Sequence, residues 1–336
     1  MKNLSLINKL IYAINYLFAI ALLLGFVLPY ISPKLLPKFA MLSLTVPVLF
    51  IVNMLFVIYW LVGLKKQFIL SVVCIFIGVF ISTPFYKFMK HHNKSKNEVS
   101  IMNYNVRLFN AYNWIDDKEI PTKIASFVKT ENPDFLCLQE FHPLGENLFD
   151  YKYKYIKSKT KKFGQAIFSK YKIVNQGSLD FEHTQNNAIF IDVVKNLDTL
   201  RIYNLHLESL GLNPEKENFG QKNSEKLLNR LTKEFAKQYE QVALVKAHQK
   251  ACNYPMLVSG DFNNTAYSWT YRAVKNTMQD SFLETGSGFG KTFEIKNFPM
   301  RIDFIFADKI LQINEHKNYI VKYSDHLPIM ATIGLD

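Results

Sequence analysis

The chain has 336 residues, enough for roughly two domains, and carries a formal net charge of +12. That charge is uneven: Met1 to Asn97 contains no acid, eight lysines lie in residues 1–90, and the remainder contributes only +4. The basicity therefore belongs largely to the N-terminal segment and is not in itself a nucleic-acid signature.

Three long uncharged stretches come first, Leu10 to Pro33, Phe39 to Leu64 and Gln67 to Tyr86, of 24, 26 and 20 residues. A helix needs about 20 apolar residues to cross a bilayer, so three transmembrane helices are expected over about 10–33, 39–64 and 67–86. A secretory signal would show one shorter apolar core, and soluble helices of this length would show a polar face. Pro29, Pro47 and Pro84 are tolerable in spanning helices. Tyr12, Tyr16, Tyr30, Tyr59, Trp60, Phe85 and Tyr86 lie mostly near the span ends, as an aromatic belt would. Asn15 and Asn53 are expected to bond between helices. The absence of acids and bases within the spans argues against a pump or transporter. Lys2, Lys9, Lys65 and Lys66 flank one side and Lys34 and Lys38 the other, which favours the outer, extracytoplasmic face for the C-terminal domain; counting Lys87, Lys90, Lys94 and Lys96 on that side makes it four against six. Cys74, Cys137 and Cys252 have no CxxC spacing, and nothing requires a disulfide.

Residues 1–90 thus read as a membrane anchor and 91–98, "HHNKSKNE", as a polar linker in which His91 and His92 are part of a solvated tether. Residues 99–336 read as one α/β domain. Strands are expected at "SIMNYNV", "DFLCLQE", "GQAIFSK", "NAIFIDVV", "LRIYNLHL", "PMLVSGDF", "RIDFIFA" and "LPIMATI". "DKEIPTKIASFVKT" reads as a helix that stops at Asn132-Pro133. A second helix, "SEKLLNRLTKEFAKQYEQVALVKAHQ", aligns Leu227, Leu231, Phe235, Tyr239 and Val242 on one face as core packing. Many antiparallel-looking strands with a few helices suggest two sheets packed face to face with helices outside.

Polar residues recur at the ends of these apolar runs: Asn105, Glu140, His206, Asp261 and Asn263, Asp303, and the pair Asp325-His326. One carboxylate closing a hydrophobic strand is ordinarily a turn, a helix cap or a salt bridge. Six such sites in one domain are not explained that way, because a buried carboxylate must be paired, hydrogen-bonded or metal-bound. Glu140, Asn105 and Asp325 offer hard oxygens that suit Mg²⁺ or Mn²⁺. His206 and His326 beside carboxylates supply proton transfer near neutral pH, with Asp303 placed to hold His326 in one tautomer. A Walker-type phosphate loop is absent, which disfavours nucleotide-driven work.

The order Asn105, Glu140, His206, "GDFN", "RIDFIF" and "SDHLPI" resembles the endonuclease/exonuclease/phosphatase superfamily, from about Val99 to the C-terminus. The resemblance implies a four-layered α/β sandwich, two packed mixed sheets flanked by helices, with its site where the loops of the two sheets meet. It implies a metal site at Asn105, Glu140 and Asp325, catalytic roles for His206, Asp261, Asn263, Asp303 and His326, and a phosphate contact at Arg107 of "YNVRLF". Phe141-His142 and "MRID" depart from the basic residue of the deoxyribonucleases and the "CDR" of the inositol phosphatases. The expectation is a membrane-anchored, Mg²⁺- or Mn²⁺-dependent phosphodiesterase, most directly a nuclease. Its partners are the lipid bilayer, through the N-terminal helices, and a nucleic acid or phospholipid head group as substrate; no obligate protein partner is inferred. The alternatives are a sphingomyelinase- or phosphoinositide-like lipid enzyme and a catalytically silent scaffold. The run "YKYKYIKSKTKK", Tyr151 to Lys162, reads as a nucleic-acid contact, an anionic-membrane contact or a lysine-guarded sheet edge.

Overall fold

The computed structural model describes residues 4–88, 92–195, 198–211, 224–295 and 298–335. These residues form two compact units. One holds residues 4–85 with 224–239 and 264–272; the other holds the rest.

In the first unit, α1 (Leu6–Val27) begins where the Ser5 hydroxyl accepts the Asn8 N–H at 3.3 Å, a capping bond. A short α2 (Pro37–Ala40) leads into α3 (Leu42–Val62), and α4 (Phe68–Ile81) follows. The helices α1 and α3 have spanning length, but α4 has 14 residues, about 21 Å, against a hydrocarbon core of about 30 Å. The three expected spans therefore resolve into two helices of spanning length and one shorter. The third stops early because Ser82 turns extended and Pro84 follows, which has no N–H and disfavours helical geometry at Thr83.

The polarity of this unit is inverted. Leu17, Leu55, Val79 and Phe80 face outward, while Asn15, Asn53 and Ser71 are fully buried. Asn15 Nδ2 donates to Ser71 Oγ at 2.8 Å, Ser71 Oγ to Asn53 Oδ1 at 2.9 Å, and Trp60 Nε1 to Asn15 Oδ1 at 3.0 Å. The expected interhelical role of the two asparagines is met, and each polar group has a partner away from water. Gly78 lets α4 approach α1, since a Cβ there would come within 2.4 Å of the Phe26 ring.

In the second unit the strands are β1 (Glu98–Asn105), β2 (Phe135–Phe141), β3 (Tyr153–Ser158), β4 (Gly164–Ser169), β5 (Ile173–Ser178), β6 (Asn187–Lys195) and β7 (Asp198–His206). They continue as β8 (Met256–Asp261), β9 (Gln279–Asp280), β10 (Phe293–Ile295), β11 (Phe298–Met300), β12 (Asp303–Ala307), β13 (Gln312–Asn318) and β14 (Ile329–Gly334). Helices α5 (Ile120–Glu131) and α8 (Ser281–Thr285) lie between them, while α6 (Ser224–Lys250) and α7 (Trp269–Lys275) begin among the residues of the first unit and end among those of the second. One sheet runs β13-β14-β1-β2-β4-β3 and the other β5-β6-β7-β8-β12-β9, with β10-β11 a separate hairpin. Each sheet is mixed: β1 pairs β2 and β7 pairs β8 in parallel, and their other pairings are antiparallel.

Strand alternation explains the layers. Val99, Ile101, Phe135, Cys137 and Ile167 of the first sheet pack against Ile189, Ile191, Ile202, Leu257 and Ile305 of the second. The alternate residues Met102, Tyr104, Leu136 and Leu138 pack under Ile120, Ile124 and Val128 of α5. On the far side, His248 of α6 meets the Tyr203 hydroxyl at 2.7 Å. Two mixed sheets flanked by helices is the expected sandwich. All eight expected strands are present, and α5 ends at Asn132, left-handed at φ 48°.

One local expectation changes, and one set of alternatives narrows. The linker is not a free tether, since Asn93 binds β13 through its backbone N–H to Asn314 O at 3.0 Å and its side chain to Ile313 O at 2.9 Å. His92 lies 3.7 Å from Glu315, while His91 falls outside the described residues. The lysine-rich run is the edge strand β3 and its turn: Lys154 pairs with Glu146, Lys157 with Asp180, and Lys159 donates to Phe181 O. Those contacts fit a sheet edge blunted by charge.

Gly260 admits no side chain, because a Cβ would lie 2.2 Å from Leu205 O across the parallel β7–β8 pair. Gly260→Ala should destabilise the fold by about 2–3 kcal/mol. Thermal unfolding should show a Tm lowered by roughly 5–10 °C, and an unchanged Tm would refute the packing described.

Candidate functional site

The interior of the sandwich changes character along its length. On β1 the inward residues run Val99, Ile101, Asn103, Asn105; on β7 they run Leu200, Ile202, Asn204, His206; on β8, Leu257, Ser259, Asp261. A greasy floor is followed by an amide layer and then by ionisable groups. In the amide layer, Gln139 Nε2 donates to Asn103 Oδ1 at 2.8 Å and to Asn204 Oδ1 at 2.6 Å, and Ser259 Oγ donates to Asn103 Oδ1 at 2.8 Å. Asn204 donates onward to Leu138 O and Ala166 O, tying the two sheets together.

Above that layer, Asn103 Nδ2 donates to Asp303 Oδ1 at 3.2 Å, and Asp303 Oδ2 accepts His326 Nδ1–H at 2.9 Å. His326 Nε2 then lies 3.6 Å from Asp261 Oδ2, and His206 Nε2 lies 3.7 Å from the same oxygen. Asn105 Nδ2 donates to Asp261 Oδ2 at 3.0 Å and approaches Glu140 Oε1 at 3.4 Å. Asn263, left-handed at φ 49°, donates its N–H to Asp261 Oδ1 at 2.8 Å and its side-chain amide to Leu207 O at 3.0 Å. His206 stacks on Phe163 with ring centres 5.9 Å apart, and its Nδ1 is buried without a hydrogen-bond partner among the described residues.

Glu140 owes its place to an irregularity. Alternation would send it outward with Leu136 and Leu138, but the β2–β4 register shifts between Leu138 and Phe141 and Glu140 sits at φ 47°. This bulge turns the carboxylate towards Asn105. Asp325 is exposed at the rim, 3.3 Å from Arg107 Nε, and Ser324 beside it donates to Asn105 O at 2.8 Å. All nine residues singled out in the sequence therefore gather at one end of the sandwich, Asp325 and Arg107 at its edge. The supporting amides Asn103, Gln139 and Asn204 and the Ser259 hydroxyl are not among those nine. Their signal is positional: most stand two residues before a site residue on the same face.

The electrostatics separate the groups. Burial, then the charges of Asp325 and Asp261, push the Glu140 carboxyl up to about 7, against the pull of His326 and the Asn105 amide. Burial takes the His206 imidazole down to about 4, although Asp261 pulls the other way. Burial also works to lower His326, but the Asp303 and Asp261 carboxylates reverse that and leave it well above an ordinary histidine. One imidazole is thus neutral and the other charged at pH 7.

Two groupings could hold a cation. Ligating atoms of Asp261, Asp303 and His326 lie within 4.8 Å of one another. In that trio, however, His326 Nδ1 and Asp303 Oδ2 are spent on each other, which suits proton transfer better. Glu140, Asn105 and Asp325 offer hard oxygens, and the raised pKa of Glu140 marks negative charge that a divalent ion would relieve.

The sequence pattern of the Endonuclease/Exonuclease/phosphatase family matches residues 102–326, and that of a Domain of unknown function (DUF8431) matches residues 8–85. No curated protein matches the chain. Among solved structures, an endonuclease/exonuclease/phosphatase from Bacteroides vulgatus is 16% identical with TM-score 0.56, over 72% of this chain and 100% of that one. A D. rerio TDP2 humanized by 14 mutations is 18% identical with TM-score 0.54, over 70% of this chain and 99% of that one. D. rerio TDP2 complexed with single strand DNA product is 17% identical with TM-score 0.53, over 70% and 99%.

The charge assignment can be tested by NMR titration of the imidazoles in chelator-treated protein. His326 should titrate well above an ordinary histidine, and His206 should stay neutral until close to pH 4. Because folding raises the His326 pKa, its stabilising contribution is complete below the unfolded value of about 6.5 and is lost as pH rises through the folded value. Asp303→Asn should lower the His326 pKa from its wild-type position. An unchanged His326 titration in that variant would refute the pairing.

Proposed function

The chain belongs to the endonuclease/exonuclease/phosphatase family, and from that footing we propose that residues 99–336 form a divalent-metal-dependent phosphodiesterase acting on nucleic acid. The observation that carries the reading is the buried Asp303–His326 pair aimed at Asp261, with neutral His206 on the other side of the same carboxylate oxygen. A charged donor, a proton-accepting carboxylate and a neutral imidazole within one desolvated cluster suit attack of water on a phosphate ester.

In this reading Asp261, fixed by the Asn263 N–H and the Asn105 amide, orients the attacking water and accepts its proton. His326, kept charged by Asp303, presents Nε2–H to a phosphoryl oxygen as negative charge builds there. His206 offers its ring N–H to a second oxygen. The left-handed Asn263 places its amide beside the same group. Glu140, Asn105 and Asp325 would hold Mg²⁺ or Mn²⁺, which neutralises the phosphate and stabilises the leaving oxygen.

The preference for nucleic acid draws on the D. rerio TDP2 relative of the fold, solved with a single strand DNA product. A lipid phosphodiester is the second reading, favoured by the outward-facing apolar residues of α1, α3 and α4. A silent scaffold would have no need of the raised Glu140 carboxyl or the paired His326.

We also assign residues 4–85 to the bilayer. Only 28% of the most apolar window in each of α1 and α3 is buried, too little for core helices of a soluble protein. Three crossings, the third shortened, leave Lys9, Lys65 and Lys66 on one side and Lys34 and Lys38 on the other. That bias puts the catalytic domain on the outer face.

Full-length protein in detergent micelles, supplied with Mg²⁺ or Mn²⁺, should cleave DNA or RNA in preference to sphingomyelin and phosphoinositide; the reverse order would select the lipid reading. His326→Ala should lower turnover roughly 10²–10⁴-fold, and added metal should not restore it. Glu140→Gln should fall as steeply but recover in part with excess Mn²⁺. Near-full turnover in either variant would remove its assigned role. For the anchor, the full chain should resist carbonate extraction, and phosphatase fused after Asp336 should be active; fluorescence of a fused fluorescent protein with no phosphatase activity would reverse the orientation.

A further inference from the structure

We propose that Tyr112 and Trp114, with Arg107 at one end and Lys162 at the other, form a stacking platform for bases of single-stranded nucleic acid beside the scissile phosphate. The inference rests on the phosphodiesterase reading and adds the form of its substrate. Tyr112 is 54% and Trp114 44% exposed, with ring centres 5.2 Å apart. Arg107 lies 4.5 Å from the Trp114 ring centre, and Lys162 Nζ lies 5.8 Å from that of Tyr112. Scattered exposed aromatics are ordinary, but two in contact, bracketed by cations, are a built surface.

The loop that carries them is held. Residues Arg107 to Asn110 are all left-handed, a strained run of the kind that persists only where its surroundings fix it. Phe109 anchors it in the core beneath, 5.5 Å from the Phe141 ring. Asn110 closes it with side-chain bonds to Ile115 O at 2.8 Å, Ile115 N–H at 2.9 Å and Asp117 O at 3.1 Å. A platform fixed in advance loses little entropy on binding.

Its place indicates the occupant. Arg107 lies 3.3 Å from Asp325, and its N–H is bonded to Asn105 Oδ1 at 3.1 Å, so the platform begins where the catalytic cluster ends. The order cation, ring, ring, cation sets two stacking surfaces between two phosphate partners, as a short stretch of nucleic acid would use them. Stacking requires unpaired bases, which selects single strands over duplex. The lysines of β3 do not compete for this role, since Lys154 and Lys157 are engaged with Glu146 and Asp180.

The test uses full-length protein in detergent, first with chelator and then with Mg²⁺. Anisotropy with a labelled single-stranded oligonucleotide and a fully abasic strand of equal length reads binding without turnover. Wild type should prefer the base-bearing strand by on the order of tenfold. Tyr112→Ala/Trp114→Ala should erase that preference while leaving abasic binding and Tm unchanged, and Trp114→Phe should keep most of it. Equal wild-type affinity for the two strands overturns the platform. So does a double variant that keeps the preference, or one that loses only binding to anionic phosphatidylglycerol vesicles. If base-bearing strands bind with the expected preference but Mg²⁺ gives no cleavage, the platform stands and the hydrolase reading fails.

Discussion

Asp303 is almost fully buried, and a carboxylate there is tolerable only because His326 and Asn103 each give it a proton to accept. Much of the site follows from that demand. His326 must sit at the end of the "SDH" turn with Nδ1 inward, which leaves Nε2 facing Asp261. The Asn103 carbonyl oxygen in turn needs donors of its own, which Gln139 and Ser259 supply. The amide layer is therefore the insulation on which a charged cluster can rest above a greasy core. Without it the sandwich would have to choose between a dry interior and ionised groups at its end.

The parts legible in the sequence are those whose residues are buried on both faces. The eight strands expected from apolar runs are β1, β2, β4, β6, β7, β8, β12 and β14, and none of them is an edge. The strands without an apolar signal include all four edges, β13, β3, β5 and β9, together with the hairpin β10–β11. An edge strand packs on one side and meets water on the other, so "IVNQGS" and "QINEHKN" carry no continuous apolar run. The site residues were legible because charge at the end of an apolar run is costly and hence informative. Gln139 and Asn204 carry no charge, and their structural work becomes visible only when the strands are aligned. The third helix was read too long because composition alone continues to Tyr86, whereas Pro84 and the extended Ser82 end the hydrogen bonding sooner.

The N-terminal unit applies the same rule of partnered burial. Trp60, Asn15, Ser71 and Asn53 form a chain of donors and acceptors linking α1, α3 and α4. Outside lie leucine, valine and phenylalanine. In the C-terminal unit polar groups line one end of the core; in this one they link the helices from within, and close approach at Gly78 adds packing between α4 and α1.

Glu140 reaches the cluster through one surplus residue in β2. Strand geometry is binary: each residue faces one layer or the other, and an insertion exchanges the two for everything beyond it. Here the surplus residue lets Gln139 and Glu140 both face inward between Leu138 and Phe141, which lie in the outer layer with Leu136. A single-codon deletion at this point would leave a β2 with room for only one of them, the amide that ties the interior or the carboxylate that reaches Asn105. On the proposed reading, catalytic competence is thus a matter of phase, open to loss by a length change of one residue without any substitution.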